Sequence, residues 1–399
     1  MEADADVCEA IDFCRFYAEC MRVLSEPHST QSLPGELNIQ SWAPLGVVAV
    51  IAPWNFPLAI LCGMATAALV TGNTVVMKPA EQSLVVGAWF MEALREAGFP
   101  PGVANLVTGR GEEIGDELVR HPSVGLIAFT GSREVGLKIW DAAGRTLPGQ
   151  RHLKRAICEM GGKNALIIDE DADLDEAVQG VLYSAFGYQG QKCSALSRVI
   201  VLEGIYERFL ERLVEAAASV RVGDPVHPGT FVGPLIDEEA MKKALSFISM
   251  GKQEGCLRFA GKIPHAKGYF VPPIIFSDLK AEAALLRQEI FAPILAVIKA
   301  STMDQAIAEA NRTEYGLTGG IYSRSPERID RVKAQLEAGN LYINRPITGA
   351  IVGRQPFGGY KMSGGGTKAG GREYLLHFMV PRVVSENTMR HGFAPDTET

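Results

Sequence analysis

Three residues in this chain have the side chains for covalent carbonyl chemistry, and each stands where a loop leaves a regular element. Cys193 lies in FGYQGQKCSALS (186–197), a Gly- and Gln-bearing loop between a helical pattern and a β-branched run. A thiol there can act as a nucleophile, and a structural cysteine fits the same place. Glu159 ends the apolar stretch RAICE, just before Gly161 and Gly162. Partial burial in a cleft would raise its pKa towards the working range of a general base; a solvated loop glutamate is the plainer reading. Asn55 sits in APWNFP, between prolines that fix the backbone, so its amide could donate to a developing oxyanion or simply serve a turn.

Two glycine-bearing turns could approach a phosphate. TGRGEEIG places Gly109, Gly111 and Gly115 where a strand pattern gives way to a helix, and FTGSREVG does the same with Gly131 and Ser132. Backbone N–H groups at a helix start attract anions, although the first spacing is GxGxxxG and a tight turn also favours glycine. Lys78 closes a strand pattern, with Glu81 three residues on. Such a pair can hold the two hydroxyls of a ribose or form an ordinary surface ion pair.

These residues need a scaffold, and the apolar runs supply one. Strands are predicted at 46–53, 73–79, 104–107 and 124–129, alternating with helices at 57–72, 84–97, 112–119 and 133–143. A second series follows, with strands at 164–169, 198–202, 292–299, 317–322 and 340–344 and helices at 174–185, 206–220, 238–254, 304–310 and 326–338. The strand runs are continuously apolar, which predicts an α/β fold of parallel sheets covered on both faces. Ligands then bind where strand carboxyl ends meet helix amino ends. Two similar α/β domains result, with Cys193 early in the second. Residues 7–24 form an amphipathic helix whose Cys8, Cys14 and Cys20 read as small buried residues or inert surface thiols. Residues 27–42 suggest a hairpin or protruding arm, and 378–385 a last β run that needs a sheet to join.

Composition narrows the function. A chain of 399 residues, 47% hydrophobic and 21% charged, reads as a soluble globular protein with several layers. Its net charge of -7 and the lack of a long Lys/Arg run argue against nucleic acid. Seven cysteines without CxxC spacing fit a reducing compartment, and no histidine pairs with cysteine at zinc-ligand spacing, so no metal is expected. The acidic start is no secretory signal, which makes the cytoplasm the default. No charged residue occurs in 37–77, yet Pro53, Asn55 and Pro57 interrupt this stretch, dividing it into a buried strand and a buried helix rather than a membrane span.

Taken together, APWNFP, KPAEQS, FTGSREVG, EMGGKNA, GQKCSA, QEIFAP and PFGGYKMSG stand in the order and approximate spacing of the NAD(P)-dependent aldehyde dehydrogenase superfamily. The chain resembles that superfamily from about residue 7 to about residue 385. SAFGYQGQKCSALSRVIV and NRPITGAIVGRQPFGG are similar to its 1-pyrroline-5-carboxylate dehydrogenase branch, which oxidises L-glutamate γ-semialdehyde to L-glutamate. The resemblance implies two Rossmann-like parallel-sheet domains and a small β oligomerisation element. It divides the chain into a cofactor domain (1–28 and 46–160), a catalytic domain (161–358) and an arm with tail (29–45 and 359–399).

It also implies roles. Cys193 would attack the aldehyde, Asn55 and the Cys193 backbone N–H would hold the oxyanion, and Glu159 would activate the water that hydrolyses the thioester. Ile51, Pro53 and Trp54 would line the cofactor cleft, Lys78 and Glu81 would hold the adenosine ribose, and Glu289 with Phe291 the nicotinamide ribose. Gly131 and Ser132 would approach the pyrophosphate, with Gly111, Gly115, Phe129, Val135, Met160 and Gly161 completing the cofactor site. A carboxylate at Glu81 repels a 2′-phosphate, so NAD is expected over NADP. Ser194 with the backbone of Gly349 and Ala350 would bind the substrate carboxylate, between walls formed by Phe56 and Phe357.

Some positions depart from the branch. Met160 stands where threonine is usual, Ala292 where glycine follows the phenylalanine, and Pro346 where lysine is common; the run 364–366 is unusually rich in glycine. A segment that precedes the match to Val7 in the branch is expected to be missing here, which raises a shortened gene product or part of a longer two-enzyme polypeptide. The arm and terminal strand are expected to pair with a neighbouring subunit in a homodimer or a multiple of one, and a proline dehydrogenase is an expected partner. An aldehyde dehydrogenase of other or broad substrate range, or a weakly active binding subunit, are the alternatives.

Overall fold

The computed structural model describes residues 2–263 and 267–390; residues 391–399 of the expected tail lie outside it. Two sheets dominate. In the first, all strands are parallel, in the order Ala104–Leu106, Thr74–Lys78, Val47–Ile51, Val124–Thr130, Arg155–Glu159. The chain winds outwards one way from Val47–Ile51 and the other way from Val124–Thr130, so the switch point that opens a ligand crevice lies between these two strands. Val48, Ala49 and Val50 are wholly buried, as a strand covered on both faces requires.

The second sheet runs Cys256–Ala260, Ile274–Ser277, Ile294–Ala300, Leu196–Leu202, Asn164–Ile168, Thr318–Tyr322, Asn340–Ile343, parallel except for its first pair. Cys256–Ala260 and Ile274–Ser277 were not among the predicted strands. Cys256–Ala260 is an exposed edge with Arg258 in its middle, so it carries no alternation, and Pro272 and Pro273 precede its neighbour. Only residues 160–163 separate the end of the last strand of the first sheet from Asn164. Arg198, 1% exposed, pins this short link: its guanidinium donates to the backbone carbonyls of Lys163, Glu309 and Ala310.

The first helix, α1 (Glu2–Leu24), packs on α2 (Ala59–Val70). Because α2 is covered by α1 on one side and the sheet on the other, it is apolar nearly all round, with nine of its twelve residues buried. It begins at Ala59, two residues later than the helix expected from Pro57. Asp6 of α1 supplies the cap from a distance, its carboxylate accepting from Leu58 N–H (3.1 Å) and Ala59 N–H (3.0 Å). Among the described residues, no helix is long and apolar enough to cross a membrane.

The terminal strand finds its first partner within its own chain. Met379–Asn387 runs antiparallel to Glu36–Pro44 along its full length, from Met379 opposite Pro44 to Asn387 opposite Glu36. His28–Ser29 covers the far side of the arm strand. Every arm backbone group facing the tail is thereby satisfied without a second chain, while the other edge of Met379–Asn387 has no strand beside it among the described residues.

Candidate active site

The first sheet delivers its residues at strand carboxyl ends. Pro53, Trp54 and Asn55 follow Val47–Ile51, and Gly131 and Ser132 follow Val124–Thr130, on the two sides of the switch point. Ser132 caps the helix Arg133–Ala143, its hydroxyl accepting from Val135 N–H at 3.3 Å. A Cβ on Gly131 would lie 2.5 Å from the Phe129 ring, so glycine is required for this turn to stay close to the sheet.

The second sheet delivers its residues at amino ends. Cys193 lies just before Leu196–Leu202, and Glu289 and Phe291 just before Ile294–Ala300. Asn164 holds the nucleophile loop: its amide donates to the carbonyls of Cys193 and Ala195, both at 2.8 Å, while its side-chain oxygen accepts from Thr318 N–H at 3.0 Å. The loop turns through Tyr188 and Gln189, both at positive φ (59° and 58°), and Tyr188 Oη donates to the Asn55 carbonyl at 2.5 Å.

These ends enclose a cavity of about 520 Å³. Cys193 and Asn55 open into it, together with Pro53, Trp54, Gly131, Ser132, Met160, Gly161, Glu289 and Phe291. Trp54 and Phe291 meet edge to face at 5.6 Å, and Phe291 adopts a φ of 64°, a conformation uncommon for a bulky residue. Glu289 is anchored by Gly162 N–H at 3.0 Å, and a Cβ on Gly161 would overlap its carboxylate. Gly161 is therefore required by Glu289, 128 positions later in the chain, whereas a Cβ on Gly162 would meet the Asn164 side chain and the Cys193 carbonyl.

Other predicted residues stand outside the cavity wall. Lys78 and Glu81 pair at 3.3 Å at the end of Thr74–Lys78, and Glu81 also accepts from Gly111 N–H at 2.6 Å. Gly115, Ile51, Phe129 and Val135 lie on or beneath the same elements without reaching the wall. Phe56 stacks on Tyr188 with ring centres 4.8 Å apart. Ser194 is buried, its carbonyl accepting from the Thr318 hydroxyl at 3.4 Å. Gly349 is exposed at a φ of 78°, Ala350 is half-buried, and Phe357 pairs through its backbone with Ala369. Ala292, where glycine is usual, is packed into an apolar cluster.

Glu159 is buried and faces the glycine-rich tail. Its carboxylate accepts from Thr367 Oγ1 at 2.6 Å and from Gly359 N–H at 3.2 Å. A Cβ on Gly358 or Gly364 would come within 3.0 Å of its oxygens, which accounts for the first glycine of the run 364–366. Burial pushes the carboxyl up to about 8 against the pull of Thr367, Gly359 and the Lys368 charge. Burial also pushes the Cys193 thiol up to about 12, helped by the charges of Glu289 and Glu159; the backbone N–H groups of Ser194 and Cys193 oppose this. Those N–H groups mark where negative charge near the sulfur is best tolerated.

Several residues were not singled out from the sequence. Gln82 donates to Asp237 at 3.1 Å across the cavity mouth, and Asp237 caps the helix Glu238–Glu254. The ammonium of Lys192 lies over the rings of Tyr183 and Tyr188 and within the field of Glu2 and Glu9 of α1. The glycine run could have flagged Thr367. Gln82, Asp237 and the acidic face of α1 have no comparable local signal, because they meet the site only through tertiary packing.

The aldehyde dehydrogenase family profile matches residues 1–384. The 1-pyrroline-5-carboxylate dehydrogenase of Geobacillus kaustophilus is 49% identical over 385 residues, which make up 96% of this chain and 75% of that protein. The crystal structure of a Thermus 1-pyrroline-5-carboxylate dehydrogenase with bound NAD superposes with a TM-score of 0.94 at 49% identity, covering 97% of this chain and 75% of that one. Proline utilization A from Bdellovibrio bacteriovorus superposes with a TM-score of 0.96 at 57% identity; it covers 98% of this chain, which spans only 41% of that larger protein. A cysteine and an asparagine facing one crevice between two parallel sheets, and a sequence match running almost from end to end, lead to one conclusion: this chain belongs to the aldehyde dehydrogenase family.

Proposed function

We propose that this chain oxidises L-glutamate γ-semialdehyde, the open form of 1-pyrroline-5-carboxylate, to L-glutamate with NAD as cofactor. The observation that carries this reading is the shared cavity of Cys193 and Asn55, walled by Gly131, Ser132, Glu289 and Phe291. The names and 49% identity of the relatives support the substrate. In this reading the first sheet carries the cofactor and the second the nucleophile, which corresponds to a division of the chain at residues 160 and 161.

Cys193, as thiolate, adds to the aldehyde carbon, and the oxygen takes the electron pair of the broken π-bond. Asn55 spends one amide N–H on the Gln191 carbonyl at 3.0 Å; its second N–H and the Cys193 backbone N–H receive the oxyanion. After oxidation the substrate remains as a thioester on Cys193. Glu159 turns from Thr367 towards the cavity, takes a proton from water, and the hydroxide formed displaces the sulfur.

The residues present fit NAD: a glycine turn that excludes a Cβ, the start of the helix Arg133–Ala143 and the carboxylate of Glu289 all meet at the crevice. When bound, NAD supplies the hydride acceptor. Lys78 and Glu81 hold its adenosine ribose, and Glu81 disfavours a 2′-phosphate. Ser194, with the backbone of Gly349 and Ala350, takes the substrate carboxylate, and Phe56 and Phe357 bound its aliphatic part. The open edge of Met379–Asn387 supports a homodimer or a multiple of one. Seven free cysteines support a cytoplasmic location, and the proline utilization relative supports a proline dehydrogenase partner as the source of substrate.

The test is NADH formation with glutamate semialdehyde and with an uncharged aldehyde of equal length, using Cys193→Ala as control. We expect the charged substrate to be preferred in kcat/KM and the control to be inactive. Equal kcat/KM for both aldehydes would reject the carboxylate anchor, and turnover in the control would reject Cys193 as nucleophile.

A further inference from the structure

A second pair of reactive groups lies between α1 and α2, away from the Cys193 cavity. Cys14 Sγ and Cys62 Sγ are 3.6 Å apart. Cys62 is 1% exposed, and its thiol also donates to the Ala10 carbonyl at 3.5 Å. Cys14 is exposed. The helices are held in close contact on both sides of the pair. Asp6 caps the start of α2 from α1, and a Cβ on Gly63 would lie 3.0 Å from the Phe13 ring. The sulfurs need to approach by only about 1.5 Å to reach bonding distance, a movement within reach of side-chain rotation.

We propose that Cys14 and Cys62 are a site of reversible thiol–disulfide modification, forming an intrachain disulfide that ties α1 to α2. The oxidant is a small disulfide. Cys14, as thiolate, attacks one sulfur of that molecule; its S–S bond breaks, a mixed disulfide forms on Cys14, and one small thiolate leaves. Cys62 then gives its proton to solvent and attacks the Cys14 sulfur, expelling the second small thiolate. Two protein thiols are oxidised, and one small disulfide is reduced to two thiols. The order is fixed by access, since only Cys14 meets solvent. The contact with Cys62 holds the Cys14 thiol down to about 7, which favours it as the first attacker.

The consequence for the fold is local. α1 reaches the catalytic loop through Glu2, which accepts from Tyr188 N–H at 3.0 Å. Its Asp6 holds the start of α2, four residues after Asn55. The crosslink fixes the helix that makes both contacts.

The probe is oxidised glutathione on the full chain, read by intact mass and peptide mapping with and without dithiothreitol. We expect a Cys14–Cys62 crosslink with the loss of two hydrogens at these residues, reversed by dithiothreitol. In Cys62→Ala the reaction should stop at a stable glutathione adduct on Cys14, and in Cys14→Ser neither product should form at Cys62. A glutathione adduct that persists on Cys14 of the unaltered chain would overturn the proposal, as would pairing of Cys14 with Cys8 or Cys20, or no modification of Cys14 at all. Mapping of the unaltered chain decides the matter even if a variant fails to fold.

Discussion

The two sheets meet the cavity with opposite ends. The five-stranded sheet contributes residues that follow its strands: Asn55, Gly131 and Ser132. The seven-stranded sheet contributes residues that precede its strands: Cys193, Glu289 and Phe291. The cause is the short link at residues 160–163, which takes the chain from the end of one sheet directly into the start of the other. The carboxyl-end rule for parallel sheets therefore locates the glycine turns but not Cys193. Cys193 is presented by a loop fixed from outside, chiefly by Asn164.

The sharpest way to break this division is Cys193→Ser. We expect NADH formation to fall by on the order of 10,000-fold, with NAD affinity, read by quenching of protein fluorescence, changing less than about threefold because the glycine turns belong to the other sheet. A comparable loss of NAD affinity would show that the two ends do not act separately. Glu159→Gln comes next, with an expected loss of about 1,000-fold in steady-state turnover. A burst of NADH should remain, since thioester formation does not need this carboxylate. Absence of that burst in rapid-mixing measurements would place Glu159 before the oxidation rather than after it.

Asn164→Ala tests the external support of the loop. It leaves the carbonyls of Cys193 and Ala195 and the Thr318 N–H without partners. A loss of about 3 kcal/mol in chemical denaturation is expected, given what unpaired buried polar groups cost, together with a fall in kcat of about tenfold. Unchanged stability with unchanged kcat would mean that the loop holds its shape without Asn164.

How much of this was legible in the sequence differs between the two ends. Continuous apolar runs such as VVAVI and VGLIAF identify central parallel strands, and glycine with serine after FT identifies a turn that opens a helix. These are local signals, set by backbone sterics and periodicity. Cys193, Asn55 and Glu159 could be ranked individually only as possibilities, because their environment comes from residues far away in the chain. The edge strand Cys256–Ala260 was missed because exposure removes the apolar pattern. The intrachain pairing of the terminal strand with Glu36–Pro44 was not legible because an apolar run says only that a sheet is needed, not which one. Gly161 and Gly364 are the instructive cases: each is crowded by a carboxylate more than a hundred positions away, so the glycine is visible in the sequence and its reason is not.

The smallest expected effect concerns Thr367, which sharpens the part played by the first sheet. Its hydroxyl donates to Glu159 at 2.6 Å and favours the carboxylate, opposing the burial that raises the group to about 8. Only the ionised carboxylate can take a proton from water, so the contribution of Glu159 to kcat, which includes thioester hydrolysis, rises with pH through its titration. Thr367→Val keeps the volume and removes the donor, so the pKa moves further up. We expect the rising limb of the pH profile to shift upward by about one unit, with activity at neutral pH reduced and activity above the limb largely retained. Thr367→Ser, which keeps the hydroxyl, should restore the original limb. A uniform loss at every pH would assign Thr367 a packing role alone, and a downward shift would mean that the hydroxyl accepts from a protonated Glu159 rather than donating to its carboxylate.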